Sequence, residues 1–240
     1  MALPFPYNLV PPKCPPTIAK HTRGFKTINL EVERKIACLA IPTLTDPSFW
    51  SQPPFTSVDP LPLKTLHDIY YDKNNLLCSN GLWVRKRNGA WQAKINPSVR
   101  IGQQHTRFEE LREEHDIAKA VQAFTKTAAV AEATNNFGLD KMAEFTTYRE
   151  GWRVDGDFVV VRDSTSFGWG VVEVELEETV RIEEGGEVDE GWKQRRMEEM
   201  DRRIEAFVKR YAWAWGGGQV KGKLSAYFEM MRRSGDGRKR

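Results

Sequence analysis

Apolar and polar residues alternate with a period of two in several short segments of the chain, which is the pattern of β-strands. The alternating segments are residues 30–35, 66–72, 82–87, 90–95, 106–111, 144–154, 157–165 and 169–178. Asn88-Gly89 and Asp155-Gly156 each separate two consecutive segments, and such dipeptides form tight hairpin turns. The pattern therefore predicts seven or eight strands, antiparallel at both dipeptides.

Three other segments repeat their apolar residues at helical spacing. One amphipathic helix is predicted between residues 112 and 136, where Ile117 and Val121 share a face. A longer helix is predicted over residues 188–215 and a short one over residues 223–231. Strands interrupted by helices predict an α+β fold in which an antiparallel sheet or barrel has helices packed outside it.

Prolines and basic residues indicate the boundaries of the domain. Residues 42–62 contain six prolines and predict a long loop. Residues 1–29 contain no Asp or Glu and are rich in proline, which predicts a disordered or loosely attached arm. We expect a single domain over residues 30–233, followed by a basic tail over residues 234–240.

Like charges recur two residues apart along the predicted strands, and residues two apart share a face. The residues concerned are Glu31, Glu33 and Lys35; Arg85 and Arg87; and Glu173 and Glu175. A sheet whose polar side meets water explains any one of these patterns. However, adjacent like charges repel, and the amphipathic helices need an apolar surface to cover. A closed barrel with helices outside and charges inside satisfies both conditions.

Composition narrows the possible functions only slightly. The 240 residues include 36 basic and 33 acidic side chains, for a net charge of +3, so no strong overall field favours nucleic acid. Three cysteines without CxxC spacing argue against a disulfide framework or a zinc site. No apolar run approaches the roughly 20 residues that span a bilayer. We expect a cytoplasmic monomer with no nucleic-acid or membrane partner, and a mitochondrial location is the alternative that the basic N-terminus suggests.

A charged lumen limits the kind of ligand that the barrel would bind. Burying an unpaired charge costs several kcal/mol, so the lumen needs solvent, mutual ion pairs and a ligand that carries both signs. A polyphosphate with a divalent metal meets this need, because basic side chains bind phosphate oxygens and carboxylates bind hard cations.

The order of the motifs identifies a family. Residues 31–35 form E-x-E-x-K, and "DIYYD", "LWVRKR", "WQAK", "FEEL", "YREGW", "RDSTSFGWGVVEVE" and "GKLSAYF" follow in order. Together they resemble the CYTH superfamily of triphosphate tunnel metalloenzymes, and within it the thiamine triphosphatases. The resemblance implies a closed eight-stranded antiparallel β-barrel, or tunnel, with a charged lumen. Residues 42–62 depart from the family, in which a helix often follows the first strand.

The resemblance also implies a role for each site residue. Metal-binding carboxylates would be Glu31, Glu33, Asp163, Glu173 and Glu175, and the triphosphate clamp would be Lys35, Arg85, Arg87, Lys94, Arg149 and Lys223. The catalytic residues would be Glu31, Glu33, Lys35, Lys94 and Glu110, although the last assignment could slip by one residue. Trp83 would stack on the thiamine moiety, and Tyr70 would contact the substrate. Core packing is the alternative for Trp83 and Tyr70, a turn cap for Asp163, and a surface position for Lys223.

The implied activity is hydrolysis of the terminal phosphate of a small-molecule triphosphate, with Mg²⁺ or else Mn²⁺ as cofactor. Thiamine triphosphate, giving thiamine diphosphate and phosphate, is the best-matched substrate. Inorganic tripolyphosphate is the nearest alternative, and the RNA 5′-triphosphatase and adenylate cyclase activities of the superfamily rank lower. A non-catalytic polyphosphate- or nucleotide-binding module is the alternative of another class.

Overall fold

The structure, a computed structural model, describes residues 25–96, 107–126, 132–183, 189–218 and 220–236. The strands within these ranges are β1 (Phe25–Ile36), β2 (Val58–Asp72), β3 (Leu82–Arg87), β4 (Ala90–Ile95), β5 (Arg107–Leu111), β6 (Asp140–Val154), β7 (Phe158–Thr165) and β8 (Gly170–Glu183). They form a closed antiparallel barrel in the order β1-β5-β4-β3-β2-β6-β7-β8, with β8 pairing back to β1. The predicted eight-stranded antiparallel barrel is confirmed.

Four α-helices and three short 3-10 helices accompany the described strands. They are α1 (Leu76–Ser79), α2 (Glu114–Thr125), α3 (Glu190–Arg210) and α4 (Lys223–Asp236), with 3-10 turns at Pro47–Phe49, Ala133–Gly138 and Ala212–Ala214. The helix predicted to reach residue 136 ends at Thr125, because Lys126 adopts a left-handed conformation with φ of 54°. The helix predicted over residues 188–215 is also shorter and ends at Arg210.

Two tight turns set the register of the strands beside them. Asn88 and Gly89 have φ of 47° and 87°, and Asp155 and Gly156 have φ of 50° and 82°. Two consecutive positive φ values are typical of a type I′ turn, whose twist matches that of antiparallel strands. Both predicted hairpins are confirmed.

The prediction of a loop throughout residues 42–62 is wrong at its C-terminal end, where β2 begins at Val58 and includes Pro60. Pro60 lies opposite Trp152 of β6, whereas β3 pairs with β2 further along, at Asp68–Tyr71. The proline therefore occupies a part of β2 beyond its pairing with β3, where a missing N–H costs little.

The boundaries of the predicted arm and tail also need correction. β1 begins at Phe25, inside the range predicted to be an arm, and α4 continues to Asp236, inside the predicted basic tail. Residues 1–24 and 237–240 lie outside the described residues.

The outer surface of the barrel is covered by helices on two sides. Under α3, Val32 and Val174 of the barrel are fully buried against Met200, Ile204 and Phe207. A second cluster, under α1 and α2, includes Leu77, Leu82, Val84, Trp91, Ile117 and Val121. Because each fully buried side chain of this size contributes about 1.5 to 3 kcal/mol, these faces account for much of the stability of the domain.

Ion pairs fix α3 to the same outer surface. Arg34, which lies between the lumen residues Glu33 and Lys35, points outward and places Nη2 2.5 Å from Asp201 of α3. Arg107 of β5 donates to the same carboxylate at 2.8 Å. The period of two therefore sends neighbouring charges of β1 to opposite faces, as the sequence predicts.

Aromatic side chains from the strands and from α4 pack together at one end of the barrel. Tyr70 and Phe145 point inward, and their rings stack with centroids 5.6 Å apart. Tyr227 of α4 lies 5.6 Å from the ring of Phe145 and 5.5 Å from the ring of Phe167. α4 therefore packs across this end of the lumen.

The segment before α4 passes so close to Cys38 that no side chain fits at Gly216. A Cβ there would clash with the Sγ of Cys38 and lie 3.0 Å from the Cys38 carbonyl oxygen, whereas a Cβ at Gly217 would meet nothing within 4 Å. We expect Gly216→Ala to destabilise the domain by about 1–3 kcal/mol, lowering Tm by several degrees, and Gly217→Ala to leave Tm nearly unchanged. Thermal unfolding of both variants checks this, and equal Tm values would contradict the close approach.

Among the helices in the described ranges, none combines the length and apolar composition needed to span a membrane.

Candidate functional site

The lumen forms a cavity of about 660 Å³, lined by inward-pointing side chains of the strands and by the start of α4. Its lining includes Glu31, Glu33, Lys35, Tyr70, Trp83, Arg85, Arg87, Lys94, Glu110, Arg149, Glu173, Glu175 and Lys223, which the sequence singles out. Asp163 is fully buried and contacts two of these residues, Arg149 and Lys223. The structure thus brings all the predicted site residues into one region.

Carboxylates concentrate on the neighbouring strands β1, β8 and β7, on what we call the acidic wall: Glu31, Glu33, Asp163, Glu173, Glu175 and Glu177. Glu33 lies directly opposite Glu175, and Glu31 lies opposite Glu177. The side chain of Glu31 is only 4% exposed, and Glu33, Glu173 and Glu175 are also buried. Since so many buried anions repel one another, the wall needs cations close by.

Lys94 of β4 is one of these cations and reaches across the lumen to the acidic wall. Its Nζ lies 2.5 Å from Glu31 Oε2, 3.4 Å from Glu33 Oε2 and 3.8 Å from Glu110 Oε1. Lys35 pairs with Glu33 and lies 3.8 Å from Glu173. Glu33 is therefore shared by two ammonium groups.

Arg149 and Lys223 hold the other end of the acidic wall. Arg149 donates to both oxygens of Asp163 at 2.8 Å and contacts Glu173 at 3.3 Å and Glu175 at 3.4 Å. Lys223, the first residue of α4, donates to Asp163 at 2.6 Å and to Glu173 at 2.7 Å. The position of Lys223 is therefore inside the tunnel and not on the surface.

Glu31 and Glu33 have opposite pKa shifts although they share a face of β1. Burial raises the pKa of Glu31 to about 8, because Lys94 offsets it only in part and neighbouring carboxylates repel the charge. Burial also acts to raise the pKa of Glu33, but Lys35 and Lys94 outweigh it and the net shift is downward. Positive charge therefore compensates Glu31 less fully than Glu33.

A divalent cation fits beside Glu31. Glu31, Glu175 and Glu177 place one carboxylate oxygen each within 4.8 Å of one another. Glu31 Oε2 is buried and has no hydrogen-bond partner in the described part of the chain, although it faces the Lys94 ammonium. An all-carboxylate set of this kind suits Mg²⁺ or Mn²⁺. Glu33, Asp163 and Glu173 are each in contact with at least two basic side chains, whereas Glu31 and Glu175 each have one such contact among the described residues, with Lys94 and Arg149.

The sequence prediction did not include Glu177 among the metal-binding carboxylates, although the period-two alternation of β8 extends to it. Glu173, Glu175 and Glu177 continue the same alternation along β8, and Glu177 lies at the more exposed end of it. Extending the pattern by one position predicts the third carboxylate.

Glu110 lies among the basic residues of the lumen, whereas Glu109, its neighbour in the chain, faces outward. Glu110 Oε1 is 3.8 Å from Lys94 and 3.9 Å from Arg85, whereas Glu109 points outward to Lys193 at 2.9 Å. Burial acts to raise the pKa of Glu110, but Lys94 and Arg85 outweigh it and lower the pKa to about 2. The side chain that faces the lumen is thus Glu110.

The two arginines of β3 have different partners. Arg85 donates through Nε to the neutral amide oxygen of Gln92 at 3.0 Å. Arg87 makes two bonds of 2.7 Å to Asp68 of β2, which is 0% exposed. Asp68 was not among the predicted site residues, because its proximity to Arg87 depends on the register between two strands.

Aromatic side chains line the lumen beside these charges. Trp83 lines the cavity and meets Phe108 edge-to-face with centroids 5.8 Å apart. The ammonium of Lys94 lies 5.0 Å from the ring centroid of Phe108. Trp83 therefore faces the cavity instead of the outer core, and Phe108 is an aromatic residue that the sequence prediction did not include.

The chain is similar in part to a curated protein of known activity. Thiamine-triphosphatase of Homo sapiens is 30% identical over 126 residues, covering 46% of this chain and 55% of that protein. The chain thus spans about half the length of this curated relative.

Solved structures that resemble the fold at low identity include the following two. The PH1819 protein of Pyrococcus horikoshii OT3 matches with a TM-score of 0.48 and 14% identity, over 83% of this chain and 99% of that chain. HpAC1 from Hippeastrum, a putative adenylyl cyclase described as having a dominant triphosphatase activity, matches with a TM-score of 0.42 and 15% identity, over 84% of this chain and 95% of that chain. Values this low carry no argument about activity.

A family match covers most of the barrel. The CYTH domain model matches residues 29–199, from β1 into α3. This range includes the E-x-E-x-K motif, both arginines of β3 and the acidic segment of β8. Since it exceeds half of the chain, the chain belongs to the CYTH domain family.

Proposed function

We propose that this chain hydrolyses the terminal phosphate of a triphosphate in the presence of Mg²⁺, and that thiamine triphosphate is converted to thiamine diphosphate and phosphate. The observation that carries the proposal is the single cavity in which buried carboxylates face lysines and arginines across the lumen. Phosphate oxygens would replace the carboxylates as partners of the basic side chains, and a cation would then balance the carboxylates. The proposed setting is a cytoplasmic monomer acting on a small molecule.

The basic side chains are proposed to bind and orient the triphosphate. They are Lys35, Arg85, Arg87, Lys94, Arg149 and Lys223, and all of them line the cavity. They come from five different elements of the fold, so they surround a chain of phosphates from several directions. Holding the phosphates in one geometry lowers the entropic part of the barrier, and positive charge stabilises the transferring group.

The proposed cation would be held by Glu31, Glu175 and Glu177, whose oxygens converge. When bound, it would neutralise phosphate charge and polarise a phosphoryl oxygen. Glu33, by contrast, is proposed to keep the ammonium groups of Lys35 and Lys94 in place. Glu110 is proposed to do the same for Lys94 and Arg85.

The proposed reaction is an in-line displacement by water. A P–O bond forms between the water and the terminal phosphorus, while the bond to the bridging oxygen breaks and the diphosphate leaves. The proton of the water passes to a carboxylate of the lumen. The residues of the chain thus position the triphosphate, exclude bulk water and accept one proton.

The organic end of the substrate is proposed to contact Trp83 and Tyr70. A cationic thiazolium ring stacks favourably on indole, and Trp83 lies in the same cavity as the phosphate clamp. The partial likeness to a thiamine-triphosphatase supports this choice. Tripolyphosphate is the second candidate, because most side chains that line the cavity are charged and few are available to bind an organic group.

Phosphate release from thiamine triphosphate, tripolyphosphate and ATP, with Mg²⁺ and with EDTA, tests the proposal. We expect Mg²⁺-dependent release, fastest from thiamine triphosphate. Preference for tripolyphosphate would replace the thiamine assignment by the second candidate. Tight binding of all three without release from any would overturn the enzyme proposal in favour of a non-catalytic binding module.

A further inference from the structure

Asp68 and Arg87 form an ion pair beside the cavity in which the carboxylate is fully buried. Asp68 is 0% exposed, and both of its oxygens accept hydrogen bonds from Arg87, through Nε and Nη2, at 2.7 Å. This bidentate geometry holds the guanidinium in one plane. Burial acts to raise the pKa of Asp68, but the hydrogen bonds from Arg87 and the positive charges of Arg85 and Arg87 outweigh it, and the net shift is downward.

A purely structural role does not account for this pair. Asp68 and Arg87 already face each other in the backbone register of β2 and β3, so the strands are joined at this point without the side chains. The guanidinium also lines the cavity, which a staple between strands does not require. Within the described ranges, Nη1 of Arg87 has no hydrogen-bond partner, so this edge remains available for a ligand.

A comparison with Arg85, the other arginine of β3, shows how Asp68 affects Arg87. Arg85 is bonded to the neutral Gln92, and its nearest carboxylate oxygen, on Glu110, is 3.9 Å away. Arg87 therefore forms a rigid, bidentate pair with Asp68, whereas Arg85 makes no bidentate contact with a carboxylate within the described residues, although Asp68 and Glu110 both act to raise its pKa. A fixed guanidinium loses little further freedom when it binds phosphate.

We propose that Asp68 is a positioning residue for substrate: it fixes Arg87 so that the Nη1 edge meets a phosphate oxygen. This inference rests on the proposed function, because it assigns Asp68 to the same phosphate clamp. Asp68 touches no substrate itself and acts only through Arg87.

A mutant cycle separates this role from a structural one. In the wild-type background, we expect Asp68→Asn to raise KM for the preferred triphosphate by about tenfold or more, with a smaller effect on kcat. In an Arg87→Lys background, the same change should alter KM by less than about twofold, because the bidentate pair is already lost. In an Arg85→Lys background, it should keep its full effect.

Asp72 provides a matched control on the same strand. It is buried like Asp68, but it accepts backbone N–H groups of Leu77 and Cys78 at the start of α1. Asp72→Asn should lower Tm without raising KM. If Asp68→Asn does not fold, Asp68→Glu keeps the charge and displaces Arg87 by one methylene, and it should raise KM by about the same factor.

Binding of tripolyphosphate in EDTA, measured by calorimetry, supplies a readout that does not require turnover. The inference is supported if Asp68→Asn weakens binding in the wild-type background and causes no further loss of affinity in the Arg87→Lys background. An equal loss of affinity in both backgrounds, or no loss in either, would overturn this inference but leave the proposed function unaffected. Wild-type protein that neither binds nor hydrolyses tripolyphosphate or thiamine triphosphate would overturn the proposed function, and this inference with it.

Discussion

Glu33→Gln is expected to abolish measurable triphosphate hydrolysis, a loss of at least about a thousandfold in kcat/KM. Glu33 is the carboxylate shared by Lys35 and Lys94, and glutamine removes the negative charge that holds both ammonium groups. Lys94 would then remain on Glu31, its partner at 2.5 Å. Initial rates over a series of substrate concentrations, with saturating Mg²⁺, measure the loss.

Glu178→Gln is the control for this experiment. Glu178 lies on the outer face of β8 and accepts a hydrogen bond from Arg196 of α3 at 2.7 Å. Losing a partly exposed pair of this kind costs less than about 1 kcal/mol, so the rate should stay close to wild type. Near-wild-type hydrolysis by Glu33→Gln would mean that the lumen charges do not act on the substrate.

Arg149→Ala is expected to have the second largest effect, with kcat/KM reduced at least about a hundredfold. The change removes the cation that contacts three buried carboxylates, Asp163, Glu173 and Glu175. The remaining negative charge repels the triphosphate and attracts divalent cations. Binding of Mn²⁺, followed by electron paramagnetic resonance in the absence of substrate, should therefore become tighter while hydrolysis falls.

Arg162→Ala is the matched control for Arg149→Ala. Arg162 is the neighbour of Asp163 in the chain, but it points outward and pairs with Glu150. It should leave both hydrolysis and Mn²⁺ binding nearly unchanged. Weaker Mn²⁺ binding by Arg149→Ala would contradict the assignment of Arg149 as the cation that balances the acidic wall.

The barrel could be predicted from the sequence because the alternation within each strand is a local signal, although β1 and β2 begin earlier than predicted. Strict alternation identified the strands, and Asn88-Gly89 set one hairpin to the residue. Pro60 was misjudged because its strand lacks a partner on one side there, and strand pairing is a tertiary property. The left-handed conformation of Lys126, which ends α2, has no comparable local signal.

The side chains that face the lumen could also be predicted, because alternation along a strand shows which residues share a face. Period two separated Arg34 from Glu33 and Lys35 and sent them to opposite faces of β1. It could not show which cation meets which carboxylate, because those contacts join strands that are distant in the chain. Lys94 and Glu31 are one such contact, and Asp68 and Arg87 are another.

The measurement that tests the central claim most directly is ³¹P NMR of thiamine triphosphate incubated with the protein and Mg²⁺. The account predicts that the terminal phosphorus signal disappears and is replaced by inorganic phosphate, together with the two signals of thiamine diphosphate. EDTA should block this change. An unchanged spectrum at stoichiometric protein, or release of diphosphate with thiamine monophosphate, would contradict the claim that this tunnel hydrolyses the terminal phosphate of thiamine triphosphate.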